Sequence, residues 1–240
     1  MHTLFISDLH LHESRPQITR AFFHFLRTQA IEAEALYILG DFFDVWIGDD
    51  DDAQLLQEVA DELFALKDKG VAIYYLHGNR DFLLGTDYAN KAGMTLIPDG
   101  TVIDLYGTPT LLMHGDSLCT SDVSYQQFRT MVRGAPWQTQ FLAQSIAARR
   151  AIAAQLREKS ESMNSMKADD ILDITPAEAQ TQMEAARVTR LIHGHTHRPA
   201  RHPLIINEQP AERIVLGDWH DSAWCIKADE NGVELIEWKI

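Results

Sequence analysis

Five times along this chain a short apolar run ends in a loop dense in Asp, His, Asn and Gly. The segments are FISDLHLH, with Asp8 and His10; YILGDFFD, with Asp41; YYLHGNRD, with Asn79, Arg80 and Asp81; LLMHGD, with His114 and Asp116; and LIHGHTHR, with His193, His195 and His197. Residues just past the carboxyl ends of strands in open α/β sheets converge on one crevice, so this repetition predicts one site built by five loops. Each piece alone is weak. Gly-Asp after an apolar run is commonly a turn, and Gly-Asn is among the strongest turn dipeptides. His-Gly-His-Thr-His carries more, because alternate side chains of an extended segment share a side and bring His195 and His197 together.

The residue types say what the site holds. Carboxylate, imidazole and amide oxygen suit divalent ions of intermediate hardness such as manganese, iron or zinc, and the lack of thiolate argues against a structural zinc site. Seven candidate ligands are too many for one ion. Two ions bridged by a shared carboxylate use them all, and Asp41, alone in a tight glycine turn, is the natural bridge. His24 and His202 stand outside these segments and read as surface residues. The acidic run Asp49 to Asp52 directly precedes a predicted helix, where capping and compensation of the helix dipole account for it.

A chain of 240 residues, 45% hydrophobic, suits one large domain or a domain carrying an insertion. No signal peptide is recognisable at the N-terminus, and no apolar stretch approaches the roughly 20 residues that span a bilayer, so a cytoplasmic protein that is not integral to a membrane is expected. Cys119 and Cys225 are far apart and lack metal spacing, which fits a reducing compartment. The formal net charge of -14 excludes a general nucleic-acid binder, which needs a basic footprint. One stretch dissents: Val123 to Arg157 has no acidic residue but holds Arg129, Arg133, Arg149, Arg150 and Arg157. That pattern fits an anionic partner, either a phosphorylated substrate or a membrane surface, as well as it fits a solvated helix face.

Alternation of β-rich and helical stretches predicts an α/β protein. Strands are expected at 3–6, 36–39, 71–76, 101–105, 110–113, 190–192, 214–216 and 233–238, and helices at 17–31 and 53–69, the second ended by Gly70. From about Ser117 to Thr189 the chain is rich in Ala, Gln, Met and Arg and reads as a helical insertion. Within it Pro136 suits a helix start, and Trp137, Phe141, Leu142, Ile146, Ile152 and Leu156 form an imperfect helical stripe.

The ordered motifs Asp-x-His, Gly-Asp, Gly-Asn, His and Gly-His-x-His resemble those of the metallophosphoesterase superfamily across nearly the whole chain. The resemblance implies a four-layer αββα sandwich with a helical lid insertion: a core of 1–116 and 190–240 and a lid of 117–189. It implies that Asp8, His10, Asp41 and His197 surround one metal, and Asp41, Asn79, His114 and His195 the other. One departure is informative: the superfamily's third motif usually ends in a histidine that protonates the leaving group, and Arg80 stands there instead. Arginine keeps its protons at biological pH and cannot be a general acid, but it stabilises charge on a phosphate. A leaving group that is itself a phosphate needs no proton donor, so the exchange favours a pyrophosphate bond over a simple monoester or a nucleic-acid diester.

The segments LYILGDFFDVWIGDDD, HGNRDFLLG, HGDSLCTSD and LIHGHTHRPA are similar to the UDP-2,3-diacylglucosamine pyrophosphohydrolases of Gram-negative bacteria, enzymes of lipid A biosynthesis. That resemblance implies two Mn2+ per chain and attack of a hydroxide on the α-phosphorus of UDP-2,3-diacylglucosamine, giving UMP and 2,3-diacylglucosamine 1-phosphate (lipid X). It implies Asn79, Arg80 and His195 as catalytic residues that also bind substrate, joined by Asp122, Tyr125, Arg157, Ser160, Asn164 and Lys167 on the lid. A peripheral position on the cytoplasmic face of the inner membrane follows, with no nucleic acid and no obligate protein partner. Relatives are more continuously apolar over Pro136 to Ile146, where this chain has Gln138, Gln140 and Gln144. A cyclic-nucleotide or general phosphodiesterase should lack Arg80 and the basic lid, and a non-catalytic module should have lost ligands; no motif ligand is missing here.

Overall fold

The computed structural model describes residues 1–164, 171 and 173–240, with the backbone alone for 159–164. Two sheets form its centre. The first has strand order β11-β10-β1-β2-β3-β4: β1 (Thr3–Ile6), β2 (Ala35–Ile38), β3 (Ala72–Tyr75) and β4 (Thr95–Leu96) run parallel. Antiparallel β10 (Ser222–Asp229) and β11 (Gly232–Lys239) extend its edge. The second has order β5-β6-β7-β9-β8, in which β6 (Thr108–Leu112), β7 (Arg190–His193) and β9 (Gln209–Val215) are parallel. Antiparallel β5 (Thr101–Leu105) and β8 (Ala200–Ile206) flank them.

Strand periodicity sorts the side chains into layers. Leu4 and Ile6 of β1 face helices α1 (Pro16–Thr28), α2 (Gln54–Asp68) and α3 (Thr86–Ala92), while Phe5 between them faces the second sheet. Leu39, Leu76, Leu112, Ile192, Ile214 and Ile226 complete the seam between the sheets. On the far side, Leu111 and Leu191 pack under Ala179 and Met183 of α7 (Pro176–Ala186). The result is the αββα sandwich expected. Strands β4, β8 and β10 and helix α3 add to the expected elements. Gly70 takes φ +98 just after α2, the left-handed position read from the sequence.

The segment 117–189 divides by packing. Helices α4 (Val123–Val132), α5 (Ala135–Leu142) and α6 (Ile146–Asn164) lie over the loops that follow β2, β3 and β6, whereas α7 is the outer layer of the second sheet. Pro136 sits in the first turn of α5, as its locked φ favours. Of the predicted stripe, Phe141 is buried and Trp137, Ile146 and Ile152 pack against the first core, while Leu142 stays exposed. Trp137 stacks on Phe141 with ring centroids 4.9 Å apart and leans on Phe82.

Candidate metal centre

Each of the five motif loops leaves the carboxyl end of a parallel strand: β1, β2 and β3 from one sheet, β6 and β7 from the other. They meet where the two sheets face each other, and backbone bonds fasten them directly. Asp8 N–H donates to the Gly40 carbonyl (3.1 Å), His10 N–H to Asp41 (2.9 Å), and Gly194 N–H to His114 (2.8 Å). The buried Asp81 carboxylate accepts from the N–H groups of Phe42 (2.7 Å), Phe43 (3.2 Å) and Gly78 (2.9 Å), tying the third loop to the second. Gly78 and Gly194 are required by closeness: a Cβ on Gly78 would overlap Asp41, and one on Gly194 would overlap Ser7 and Asp8.

Five of the seven candidate ligands hold left-handed backbone: Asp8 (φ 57), His10 (48), Asp41 (49), His195 (70) and His197 (55). Such conformations cost on the order of 1–3 kcal/mol each and persist only where surrounding structure enforces them. Concentrated at one crevice, they turn side chains inward that a regular strand exit would spread apart.

Two groups of donor atoms result. Asp8, His10 and His197 form one, their ligand atoms all within 4.8 Å of one another, and Asp41, His114 and His195 form the other. In the first, His10 Nε2 lies 3.2 Å from His197 Nε2, and His197 Nε2 lies 3.5 Å from Asp8 Oδ1. In the second, Asn79 Oδ1 sits 2.9 Å from His114 Nε2 and 2.8 Å from His195 Nδ1. Asp41 spans both: Oδ2 is 4.0 Å from His10 Nε2, and Oδ1 is 3.6 Å from His114 Nε2. All seven sequence-derived side chains are thus brought together, with Asp41 in the middle.

These donors fit divalent cations. Asp8 Oδ1 is buried without a hydrogen-bond partner. His114 Nδ1 lies 2.8 Å from the Leu39 carbonyl, which fixes the proton there and turns the Nε2 lone pair toward two oxygens. Acceptors facing acceptors in a buried site call for positive charge between them. The titration behaviour reports the same field. Burial opposes a charge on His114, yet Asp41, Asp8 and Asp116 push it up to about 9. Burial raises Asp41 to about 7, with His114 opposing and Asp81 and Asp8 adding to it; of this close pair the proton belongs to His114, on the same Nε2 from which a bound cation would displace it. Burial, with His114 beside it, pulls His195 down to about 4, so that ring is neutral. Burial also keeps His10 neutral against the pull of Asp8.

The other expected residues divide. Arg80 donates its backbone N–H to Asp41 Oδ1 (2.8 Å), and its guanidinium is near enough to act on Asp41 and His10; among the described residues no carboxylate pairs with it. Tyr125 stacks over His195 at 6.2 Å and donates its hydroxyl to Asp116 (2.7 Å). Asp122 caps α4, accepting from Tyr125 N–H at 3.0 Å. Arg157 pairs with Asp44. Lys167 and the side chains of Ser160 and Asn164 lie outside the described residues.

Two sequence readings need correction. The arginines of 123–157 do not stand as an open positive field: Arg129 and Arg133 reach buried Asp116 (2.7 and 3.4 Å), Arg149 pairs with Asp50, and Arg150 with Asp51 and Asp52 (2.6 Å each). The acidic run does more than serve the helix after it. Asp51 accepts from Ala53 N–H before α2, but Asp49 accepts from Gly85 and Tyr88 N–H at the start of α3, and the rest binds the insertion's arginines. Sequence reasoning assigned no role to Asp44, Asp81 or Asp218. Asp44 and Asp218 stand 3.9 Å from His10 Nδ1 and 3.7 Å from His197 Nδ1, behind rings of the first group. Asp44 and Asp81 lie within quoted motifs, but nothing local marks them as supports.

Comparison with known proteins agrees with this geometry. The model of the calcineurin-like phosphoesterase family matches residues 1–199. The chain is 63% identical over 240 residues, covering 100% of both chains, to a Cellvibrio japonicus protein named UDP-2,3-diacylglucosamine hydrolase. Proteins of that name from Marinobacter nauticus (54% identical; 96% of this chain, 95% of the relative) and Pseudomonas aeruginosa (53%; 97% of each) are similar along nearly their whole lengths. With five strand-end loops gathering paired donor groups and a family match over most of its length, the chain belongs to the calcineurin-like phosphoesterase family.

Proposed function

We propose that this protein hydrolyses the pyrophosphate bond of UDP-2,3-diacylglucosamine, releasing UMP and 2,3-diacylglucosamine 1-phosphate, with two Mn2+ ions in the centre described above. The observation that carries the reading is the shared carboxylate: Asp41 Oδ2 faces His10 of the group with Asp8 and His197, and Oδ1 faces His114 of the group with His195. When bound, divalent cations supply charge neutralisation for the phosphoryl oxygens and a water acidic enough to ionise near neutral pH.

The chain's own residues do the rest. Arg80 and Asn79, carried by one loop, and neutral His195 stabilise negative charge on the transferring α-phosphoryl group. Arg80 leaves the departing sugar phosphate unprotonated, which a phosphate tolerates and an alkoxide does not. Arg157 and Lys167 hold that phosphate, with Asp122, Tyr125, Ser160 and Asn164 around the sugar. Phe82, Trp137 and Phe141 pack together where the insertion meets the core, and we assign the acyl chains to this apolar seam. Among the described residues no helix is long and apolar enough to cross a membrane. We assign the protein to the cytoplasmic face of the inner membrane, held peripherally where its lipid substrate lies.

Phosphorus NMR of the products formed in oxygen-18 water, with Mn2+ added and then chelated, tests the reading. Label in UMP is expected, with turnover abolished by the chelator. Label in the sugar phosphate would contradict attack at the α-phosphorus.

A further inference from the structure

Asp44 is a buried carboxylate on the loop after β2, and the chemistry derived so far does not use it. Its Oδ1 lies 3.5 Å from Arg15 Nη2 and 3.9 Å from His10 Nδ1, while Oδ2 pairs with Arg157 Nη1 from α6. His10 Nδ1 is buried with no hydrogen-bond partner, although Nε2 of the same ring points into the donor cluster. Arg15 donates to the His10 carbonyl, so loop, carboxylate and arginine form one unit. A single acid therefore stands between the back of a cluster histidine and the insertion.

We infer that Asp44 is a positioning residue with two alternative partners, Arg157 and His10. Without substrate it holds Arg157, and with it α6, over the crevice. A phosphate competes with a carboxylate for the same guanidinium fork, since both present paired oxygens to it. Once the substrate's phosphate takes Arg157, the freed Asp44 oxygen accepts the His10 Nδ1 proton and fixes the Nε2 lone pair toward the cations, as carboxylates behind metal-binding histidines do. Engagement of the sugar phosphate and alignment of His10 are thereby one event. The second half of this inference rests on the function proposed above; the first half does not.

Asp44→Asn, nearly equal in size but uncharged, tests it by two readouts that need no substrate. Hydrogen exchange of the full chain should speed up at least fivefold in α6, residues 146–158, and remain unchanged in β1, β2 and β3. Mn2+ affinity measured by titration should stay within about twofold of wild type, because without substrate Asp44 is engaged by Arg157 and not by His10. Arg157→Gln should loosen α6 equally and raise Mn2+ affinity about tenfold, because Asp44 is then free to support His10 without substrate, which separates the two partners and decides the first if Asp44→Asn folds poorly. With UDP-2,3-diacylglucosamine, Asp44→Asn should lower kcat without raising KM, because Arg157 is released to the phosphate. Unchanged exchange in α6 in Asp44→Asn, or Mn2+ affinity within twofold of wild type in Arg157→Gln, overturns the inference. Failure of the wild-type protein to turn over this substrate would instead undo the proposed function, and the exchange and affinity data would still judge Asp44.

Discussion

The crevice and the insertion above it are held by different physics. In the crevice the loops are joined by backbone hydrogen bonds from both sheets, with Asp81 at the junction, and the strained dihedrals of Asp8, His10 and Asp41 are affordable because neither neighbour can yield. The insertion touches the core through Phe141 and a few half-buried apolar residues, then through guanidinium groups reaching across to acids of the core loops. Backbone bonds between fixed loops set positions to fractions of an ångström. Ion pairs made by long side chains, some of them exposed, exchange partners easily. The difference matches what each part must do: donor groups must stay aligned, and a cover over a bulky substrate must open.

Several changes should break or sharpen that contrast. Removing the shared carboxylate by Asp41→Ala should have the largest effect, lowering turnover by about three orders of magnitude or more, on the scale of losing a group that stabilises transition-state charge. Normal kinetics in this variant would end the shared-carboxylate account. Arg80→His should come next, slowing pyrophosphate cleavage by roughly 10–100-fold, because a guanidinium facing the phosphate is replaced by a weaker and titratable group. Steady-state kinetics matching wild type would remove the leaving-group argument.

A smaller effect is expected at Arg149, whose side chain is 2% exposed while its partner Asp50 is 63% exposed. It also donates to the Ile47 carbonyl (2.6 Å) and the Gln144 carbonyl (3.1 Å). Arg149→Met strands no buried charge, because Asp50 regains water, so about 2 kcal/mol should be lost, the worth of hydrogen bonds from a charged donor. Hydrogen exchange should rise in α5 and α6 and leave β1 to β3 untouched; a rise spread through the sheets would deny the insertion its separate attachment.

Acid should separate the regions in the opposite sense. His193 lies buried behind the crevice, its Nδ1 2.8 Å from the Gly194 carbonyl and its Nε2 accepting from Arg213 (3.0 Å), and burial with Arg213 lowers it to about 3. Unfolded, it binds a proton near pH 6.5. Between pH 6.5 and 3 the unfolded chain thus carries a proton that the folded one refuses, so stability falls as pH falls, by about 1–2 kcal/mol from pH 7 to pH 5. Asp50 and Asp52, held below their usual range by bonds from Arg149 and Arg150, keep the insertion's pairs through the same window. Urea midpoints at pH 7 and 5, with chelator present, should drop less in His193→Gln than in wild type; equal drops would remove His193 as a cause.

The contrast also marks what the sequence could reveal. The side chains that meet in the crevice were legible because strand order alone sends the loops after β1, β2, β3, β6 and β7 to one place. The central strands were legible because buried parallel strands read as unbroken apolar runs, as in LFI and LYI of β1 and β2. Strand β8, with Arg201, His202 and Pro203, and β10, with Ser222 and Lys227, carry no such signal, and pairing makes them strands, β8 at an edge against β9 and β10 between β1 and β11. Left-handed dihedrals at His10 or His197 leave no trace in composition. The acidic run invited a local reading because capping is local, whereas the partners of Asp50 and Asp52 come 99 and 98 positions later. Asp44 was hidden likewise: its role exists only once α6 lies over the loop.

Electron paramagnetic resonance of the full chain titrated with Mn2+, beside an Asp41→Asn variant, tests the central claim most directly. Two ions per chain, spin-coupled in the wild type and uncoupled or reduced to one in Asp41→Asn, are predicted from one carboxylate joining two donor sets. A wild-type spectrum saturating at a single isolated ion would contradict it.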